Sequence, residues 1–360
     1  MRLPARAPAS PAGRSGHHCG RGALRAGGVV TGPRVAVVGA GSMGRNHARV
    51  IADSASAELA VVIDPNEPVA RSVAERYGSS WAADLTGLDA ADAVVVAAST
   101  EHHYDITQEI LRLGLPVLVE KPVCPSLSQT LEILHASEAA GVPIMCGFLE
   151  RYNPAIIVAR RMIARPLYAR AERHSPYAPR ITTGVAWDLL VHDVDLISRF
   201  FDGEDPVSVN VEAGRFHPSS LPGTEDVVDV SMSFSTGVAS ASASRIGQRK
   251  VRTLLIQTLE GMVEVDLLRR GVTLYRHTTI SDSSAEGAGF RQVTEMEVPE
   301  ITGREPLAAQ FTQFLDLVDG KVNAAAERAS IVPAHRIVER ALSSGALTGP
   351  AVPTSAGIPG

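Results

Sequence analysis

A short β-branched run, Val35 to Val38, opens directly into Gly39-Ala40-Gly41-Ser42-Met43-Gly44, and this junction constrains the fold of the 360-residue chain more than any other feature. β-Branched residues in such a run favour a buried strand, Arg45 to Ala52 is compatible with a helix, and three glycines at GxGxxG spacing lie between them. Gly39 permits a tight turn, Gly41 lets backbone approach a ligand pyrophosphate, and Gly44 lets helix and strand pack closely. The start of the helix adds N–H groups and positive potential for that anion. A second strand, Leu59 to Ile63, ends in Asp64, where a carboxylate suits ribose hydroxyls and repels a 2′-phosphate. Strand, glycines, helix, strand and acid in this order point to a dinucleotide, NAD in preference to NADP, held by Gly39, Gly41, Ser42, Met43, Gly44 and Asp64.

The alternation continues. Pro68 to Tyr77 reads as a helix with Pro in its first turn and Gly78 as its stop. Ala93 to Ala97 reads as a strand and Tyr104 to Leu113 as a helix closed by Gly114. Val117 to Val119 is a further strand, Ser126 to Ala140 a helix closed by Gly141, and Val142 to Gly147 another strand. Repeated βαβ units predict a parallel, doubly wound sheet, a Rossmann domain over 34–148. Beyond it, Val207 to Val211, Val227 to Phe234, Val238 to Ser244, Val251 to Leu259, Met262 to Leu267 and Val272 to His277 read as strands. Turns at Ser235-Thr236-Gly237 and Glu260-Gly261 support hairpins. The segment 281–289 reads as a loop. A second domain is expected over 149–342, with a turn-rich mobile tail over 343–360.

Charge excludes whole classes of function. The net charge is −5, and residues 1–33 hold five Arg and no acid, so the remainder carries 29 basic against 39 acidic residues, or −10. No globally basic nucleic-acid surface is expected. No apolar run reaches the roughly 18 residues of a membrane span. Cys19, Cys124 and Cys146 lie far apart, without the spacing of a disulfide framework or a zinc site. The expectation is a cytoplasmic enzyme with neither nucleic-acid nor membrane partner, preceded by a disordered extension over 1–33.

Two further constellations bear chemistry. Val117-Leu118-Val119 runs into Glu120-Lys121-Pro122, and ligands of open α/β sheets bind beyond the carboxyl ends of strands. Lys121 therefore stands where a substrate hydroxyl could be bound and deprotonated. From Trp187 the chain reads as a helix apolar almost all round, with Asp188 and His192 four apart on one face and Asp195 extending the stripe. Ionisable groups on a buried helix need partners or a task. His192 suits acid/base work near neutral pH, and Asp188 could orient it or bind a sugar hydroxyl. No further ligand set accompanies them, so no metal is expected.

Together, Gly39 to Gly44, Asp64, Glu120-Lys121-Pro122 and the DxxxHxxD spacing from Asp188 to Asp195 resemble the Gfo/Idh/MocA oxidoreductase family, over roughly residues 34–345. The resemblance implies an N-terminal Rossmann domain and a C-terminal α+β domain with a large open, mainly antiparallel sheet that packs between subunits, hence a homodimer or homotetramer. It assigns catalysis to Lys121, Asp188 and His192, and cofactor contacts to Glu120 and His103. It also implies a strained or cis Lys121–Pro122 linkage. Ala98-Ser99 departs from the Thr-Pro common before the family's histidine.

Within the family, the segments 147–154 and 174–180 resemble enzymes that oxidise the 3-hydroxyl of UDP-N-acetylhexosamines with NAD. Residues 151–180 also hold seven Arg against one acid, Glu172, which suits an anionic sugar. Arg151, Asn153, Arg173 and Arg180 are the candidate substrate contacts, while Arg160 and Arg161 read as a solvated helix face. Inositol, sugar-phosphate and keto-sugar enzymes are the nearest alternatives. A dinucleotide-sensing regulator and a transient-redox glycosidase stand further off.

Overall fold

In the computed structural model residues 32–179, 181–282, 289–344 and 347–348 are described, and they build two sheets. The first is formed by β1 (Arg34–Val38), α1 (Ser42–Asp53), β2 (Glu58–Ile63), α2 (Glu67–Tyr77), β3 (Ser80–Ala82), β4 (Ala93–Val96), α3 (His103–Arg112), β5 (Val117–Val119), α4 (Leu127–Ala140) and β6 (Ile144–Cys146). Its six strands run parallel in the order β3-β2-β1-β4-β5-β6. The order reverses between β1 and β4, and a crevice at such a switch point is where open α/β sheets take their ligands. β3 is absent from the sequence expectation because three half-exposed or exposed residues on a sheet edge carry no period.

The chain continues through α5 (Pro154–Met162), β7 (Tyr168–His174) and a π-helical turn (Ala186–Leu190) that leads into α6 (Val191–Phe200). Next come β8 (Ser208–Gly214), β9 (Val227–Ser233), β10 (Val238–Ser244), β11 (Val251–Gln257), β12 (Met262–Asp266), β13 (Gly271–Asp282) and β14 (Gly289–Glu297). Then α7 (Pro306–Val318), α8 (Ala324–Ser344) and β15 (Leu347–Thr348) close the described chain. The second sheet has nine strands in the order β14-β13-β12-β11-β7-β10-β9-β8-β15. It is mainly antiparallel, as expected, but β10 pairs with β7 and β15 with β8 in parallel.

Three departures from the sequence reading have physical causes. β7, at the centre of the second sheet, was hidden by its charges: Ala169, Ala171 and Arg173 face the core, while Arg170 and Glu172 face outward. At the expected loop over 281–289, residues 281, 282 and 289 belong to strands, with β13 and β14 paired from Leu274–Glu297 to Asp282–Gly289; residues 283–288 lie outside the described residues. The expected mobile tail is partly structured, since α8 reaches Ser344 and Leu347–Thr348 pairs with Ala213–Gly214. Of the expected extension, Gly32 and Pro33 are described and residues 1–31 are not.

The first sheet completes its core with residues far along the chain. Leu307, Phe311, Phe314, Leu315 and Leu317 of α7 pack in one cluster with Val35 and Val37 of β1 and Ala48 and Ile51 of α1. α8 packs against α4, β6, α6 and β8 and so ties the two sheets together. No helix among the described residues is long and apolar enough to cross a membrane.

Candidate active site

The β1–α1 turn fits a dinucleotide, and its three glycines differ in why they are glycine. Gly39 has φ +96, and a Cβ there would lie 2.6 Å from the Ala97 carbonyl. A Cβ on Gly44 would lie 1.7 Å from the Gly39 oxygen. Gly41 has no protein-internal reason: a Cβ would meet nothing within 4 Å, and its φ is −68. Its bare backbone, next to exposed Ser42, leaves room for a ligand at a helix start that has no side-chain cap. Met43 is half-buried against the core beneath. Asp64 stands at the end of β2, its Oδ2 accepting the Ala40 N–H at 2.7 Å and its Oδ1 the Asn66 N–H at 2.9 Å. Each oxygen keeps a lone pair for a ribose hydroxyl.

Lys121 emerges from the end of β5, with the Lys121–Pro122 bond cis. Its Nζ donates to the Asp188 backbone carbonyl at 2.6 Å and to Asp188 Oδ1 at 3.1 Å. Asp188 lies in the π-helical turn, where the Val191 N–H reaches back five residues to the Ala186 carbonyl. That wider turn breaks the four-residue stacking expected of a regular helix. Asp188 therefore does not orient His192, as the sequence suggested; its hydrogen-bond partner is Lys121, and Arg245 Nη2 stands 3.8 Å from its other oxygen. The turn is itself pinned by Glu225, whose Oε1 accepts the Ala186 N–H at 2.7 Å. His192 has its Nδ1 closed off from solvent and without a hydrogen-bond partner. Burial first, then the charges of Lys121, Arg173 and Arg252, push this imidazole well below its ordinary value, so it is neutral at pH 7.

Three buried histidines brace the lysine from behind. His47 Nε2 of α1 lies 2.7 Å from Glu120 Oε1, and the other Glu120 oxygen accepts the Lys121 N–H at 3.2 Å. Burial alone would raise the Glu120 carboxyl. The His47 hydrogen bond and the positive field of His47 and Lys121 outweigh it and hold the carboxyl below its ordinary value. His103 bridges two carbonyls, Pro122 O at 2.9 Å and Ala98 O at 3.0 Å. Glu120 and His103, both expected at the cofactor, are almost fully buried, and their hydrogen bonds go to His47 and to the backbone around Lys121. His335 of α8 accepts the Val123 N–H at 3.1 Å and donates to Ile331 O at 2.9 Å.

Residues 33–148 match the model of the oxidoreductase family with an NAD-binding Rossmann fold, and residues 157–264 match the GFO/IDH/MocA C-terminal domain. The chain belongs to the Gfo/Idh/MocA oxidoreductase family. It is 27% identical over 289 residues to the UDP-N-acetylglucosamine 3-dehydrogenase of Acidithiobacillus ferrooxidans, covering 79% of this chain and 88% of that one. It is 26% identical over 270 residues to the inositol 2-dehydrogenase of Rhizobium meliloti, covering 71% and 80%. The solved structure of the Acidithiobacillus enzyme superposes with a TM-score of 0.75 at 24% identity, over 87% of this chain and 98% of that one.

Of the expected substrate contacts, Arg151 and Arg173 are held inside the fold. Arg151 donates to both Asp195 oxygens, at 2.9 and 2.6 Å, and to Ser330. Arg173 donates to both Asp193 oxygens, at 2.8 and 2.9 Å, and to Glu150 at 3.1 Å. Both guanidinium groups are buried, and a desolvated arginine is held by a carboxylate in bidentate geometry in preference to facing water. Asn153 caps α5 through the Ala155 N–H and binds Glu150. Arg180 lies outside the described residues. The cations beside the Lys121–His192 cleft are instead Arg245 and Arg252, which local pattern alone does not single out. His47 and His335 also escaped the sequence reading, although a histidine three residues past the last glycine was a readable signal.

Proposed function

We propose that this chain is an NAD-dependent dehydrogenase that oxidises a secondary hydroxyl of an anionic sugar to a ketone, the 3-hydroxyl of a UDP-N-acetylhexosamine. The observation that carries the reading is the meeting of Lys121, Asp188 and a neutral His192 at the carboxyl end of β5, beside the switch point of the first sheet. Bound NAD supplies the hydride acceptor. Asp188 holds Lys121 Nζ in place, and Nζ hydrogen-bonds the substrate hydroxyl. With Lys121 Nζ bound to the hydroxyl, the neutral His192 beside it takes the hydroxyl proton as the neighbouring C–H bond gives up its electron pair; one proton passes to solvent for each ketone formed. Glu120, His47 and His103 keep the lysine's backbone from shifting. Asp64 supports NAD over NADP, because a fixed carboxylate at the ribose repels a 2′-phosphate. The outward face of β7 to β10, polar and partly exposed among the described residues, is the proposed seam of a homodimer or homotetramer.

The test follows nicotinamide absorbance with NAD and a panel of UDP-N-acetylglucosamine, its galacto epimer, glucose 6-phosphate and myo-inositol. Reduction with the UDP-sugars alone is expected. Reduction with myo-inositol, the activity named for the Rhizobium relative, would keep the chemistry and discard the nucleotide sugar.

A further inference from the structure

The inner face of the second sheet carries three arginines side by side: Arg245 just past β10, Arg173 on β7 and Arg252 on β11, with Arg252 directly opposite Arg173. Like charges directly opposite on neighbouring strands repel, so each cation needs an anion. Arg173 has two, Asp193 and Glu150. Arg245 is buried, donates to the Thr183 carbonyl and faces Asp188. Arg252 has the least. Among the described residues its one ion-pair neighbour is Glu150 Oε1 at 3.7 Å, beyond hydrogen-bond range, and that same oxygen already accepts from Arg173 at 3.1 Å.

Its position explains the shortage. Leu254 and Ile256, on the same face of β11, are 1% and 0% exposed, whereas the Arg252 side chain is 39% exposed. The strand thus leaves the core at Arg252 and borders the cleft. There its charge acts on His192, and Asp188 lies within its electrostatic reach. A guanidinium that is partly dehydrated, repelled by a neighbour and left with only a long contact retains donors for an external anion.

We infer that Arg252 is the anion anchor of the substrate site, receiving a phosphate oxygen attached to the sugar whose hydroxyl is oxidised at Lys121. The inference rests on the reading of the Lys121–His192 cleft as the sugar site. It assigns the substrate's phosphate to the β11 side of the cleft, opposite β5, and not to Arg151 or Arg173. A neutral polyol would leave Arg252 unsatisfied, so the residue selects phosphorylated or nucleotide-linked sugars over inositol.

The experiment uses the NAD-saturated enzyme, so that the cofactor's own phosphates fill the α1 cradle. Binding of inorganic pyrophosphate is read by thermal shift in wild type, Arg252→Gln and Arg252→Lys. At least tenfold weaker binding in Arg252→Gln, with partial recovery in Arg252→Lys and unchanged NAD affinity, is expected. Equal pyrophosphate binding in all three, or a parallel loss of NAD affinity, overturns the anchor. Steady-state kinetics separate the sources: a rise in KM of at least tenfold, at kcat within twofold, confined to UDP-sugars assigns a diphosphate, and one confined to glucose 6-phosphate assigns a monoester. An active enzyme whose KM for both is unchanged in Arg252→Gln overturns the anchor and keeps the dehydrogenase. Arg252-dependent pyrophosphate binding in a protein that oxidises none of the sugars keeps the anchor and removes the proposed reaction.

Discussion

The two arginine clamps on α6 and the lysine pair at its entrance use the same chemistry to opposite ends. Arg151–Asp195 and Arg173–Asp193 are bidentate, and every side chain in them is no more than 5% exposed. Between the side chains of Lys121 and Asp188 there is one contact, at 3.1 Å, with both near one-fifth exposed. In the clamps each carboxylate is buried against two donors from one guanidinium, so no outside group reaches its remaining lone pairs. In the cleft Lys121 has three donors, two of them taken by Asp188, and one remains. Ion pairs that close on themselves build the scaffold, and the pair left incomplete is the one that can meet a substrate.

Several measurements would break or sharpen this contrast. The largest effect is expected for Lys121→Met, where kcat falls about 10³-fold, or ~4 kcal/mol of barrier, while NAD affinity by fluorescence and the unfolding midpoint stay near wild type. A matching loss of stability would put Lys121 among the scaffold pairs. Asp193→Asn strands a buried guanidinium with only Glu150, and denaturant titration should show a loss of about 3 kcal/mol. A variant that stayed as stable as wild type but lost turnover would exchange the roles assigned to the two groups.

His335 tests the same contrast through pH. Burial lowers it to about 4, against the donor bond to Ile331 that works to raise it. Below an unfolded value of about 6.5 the unfolded chain takes a proton that the folded chain refuses. This stability is therefore complete above pH 6.5 and is lost as pH falls toward 4, by roughly 2 kcal/mol at pH 5 from 1.36 kcal/mol per unit. His335→Gln should be less stable at pH 7 and show a flatter decline to pH 5; equal slopes would mean that the ring is charged in the fold. Smallest is Asp64→Ala, expected to raise the KM for NAD about tenfold, ~1.4 kcal/mol, and to narrow the preference over NADP. An unchanged cofactor ratio would leave Asp64 as a backbone brace through Ala40 and Asn66 alone.

Most of the first sheet was readable because its signals are local. Val35 to Gly44 carries its strand, turn and helix start within ten residues, and Lys121 follows its strand directly. Asp188 and His192 were expected at the site by the same logic, but Asp188 pairs with Lys121 and not with His192. Four-residue spacing assumes a regular helix, and the π turn held by Glu225 removes that assumption. β7 was missed because an inward arginine breaks the apolar alternation, and Asp193, twenty residues on, together with Glu150 makes its burial tolerable.

By itself the sequence determined the doubly wound domain, its dinucleotide turn and the residues that meet at the β5 end, since backbone sterics and hydrophobic period act over a few residues. Which arginines are closed and which is open was decided by tertiary structure alone. Arg151 is sealed by Asp195 and Ser330, 44 and 179 residues away, and α7 reaches back from residue 306 to complete the first core. A charge's fate depends on the water and counter-charges around it in space, and neither is written in the residues beside it in the chain.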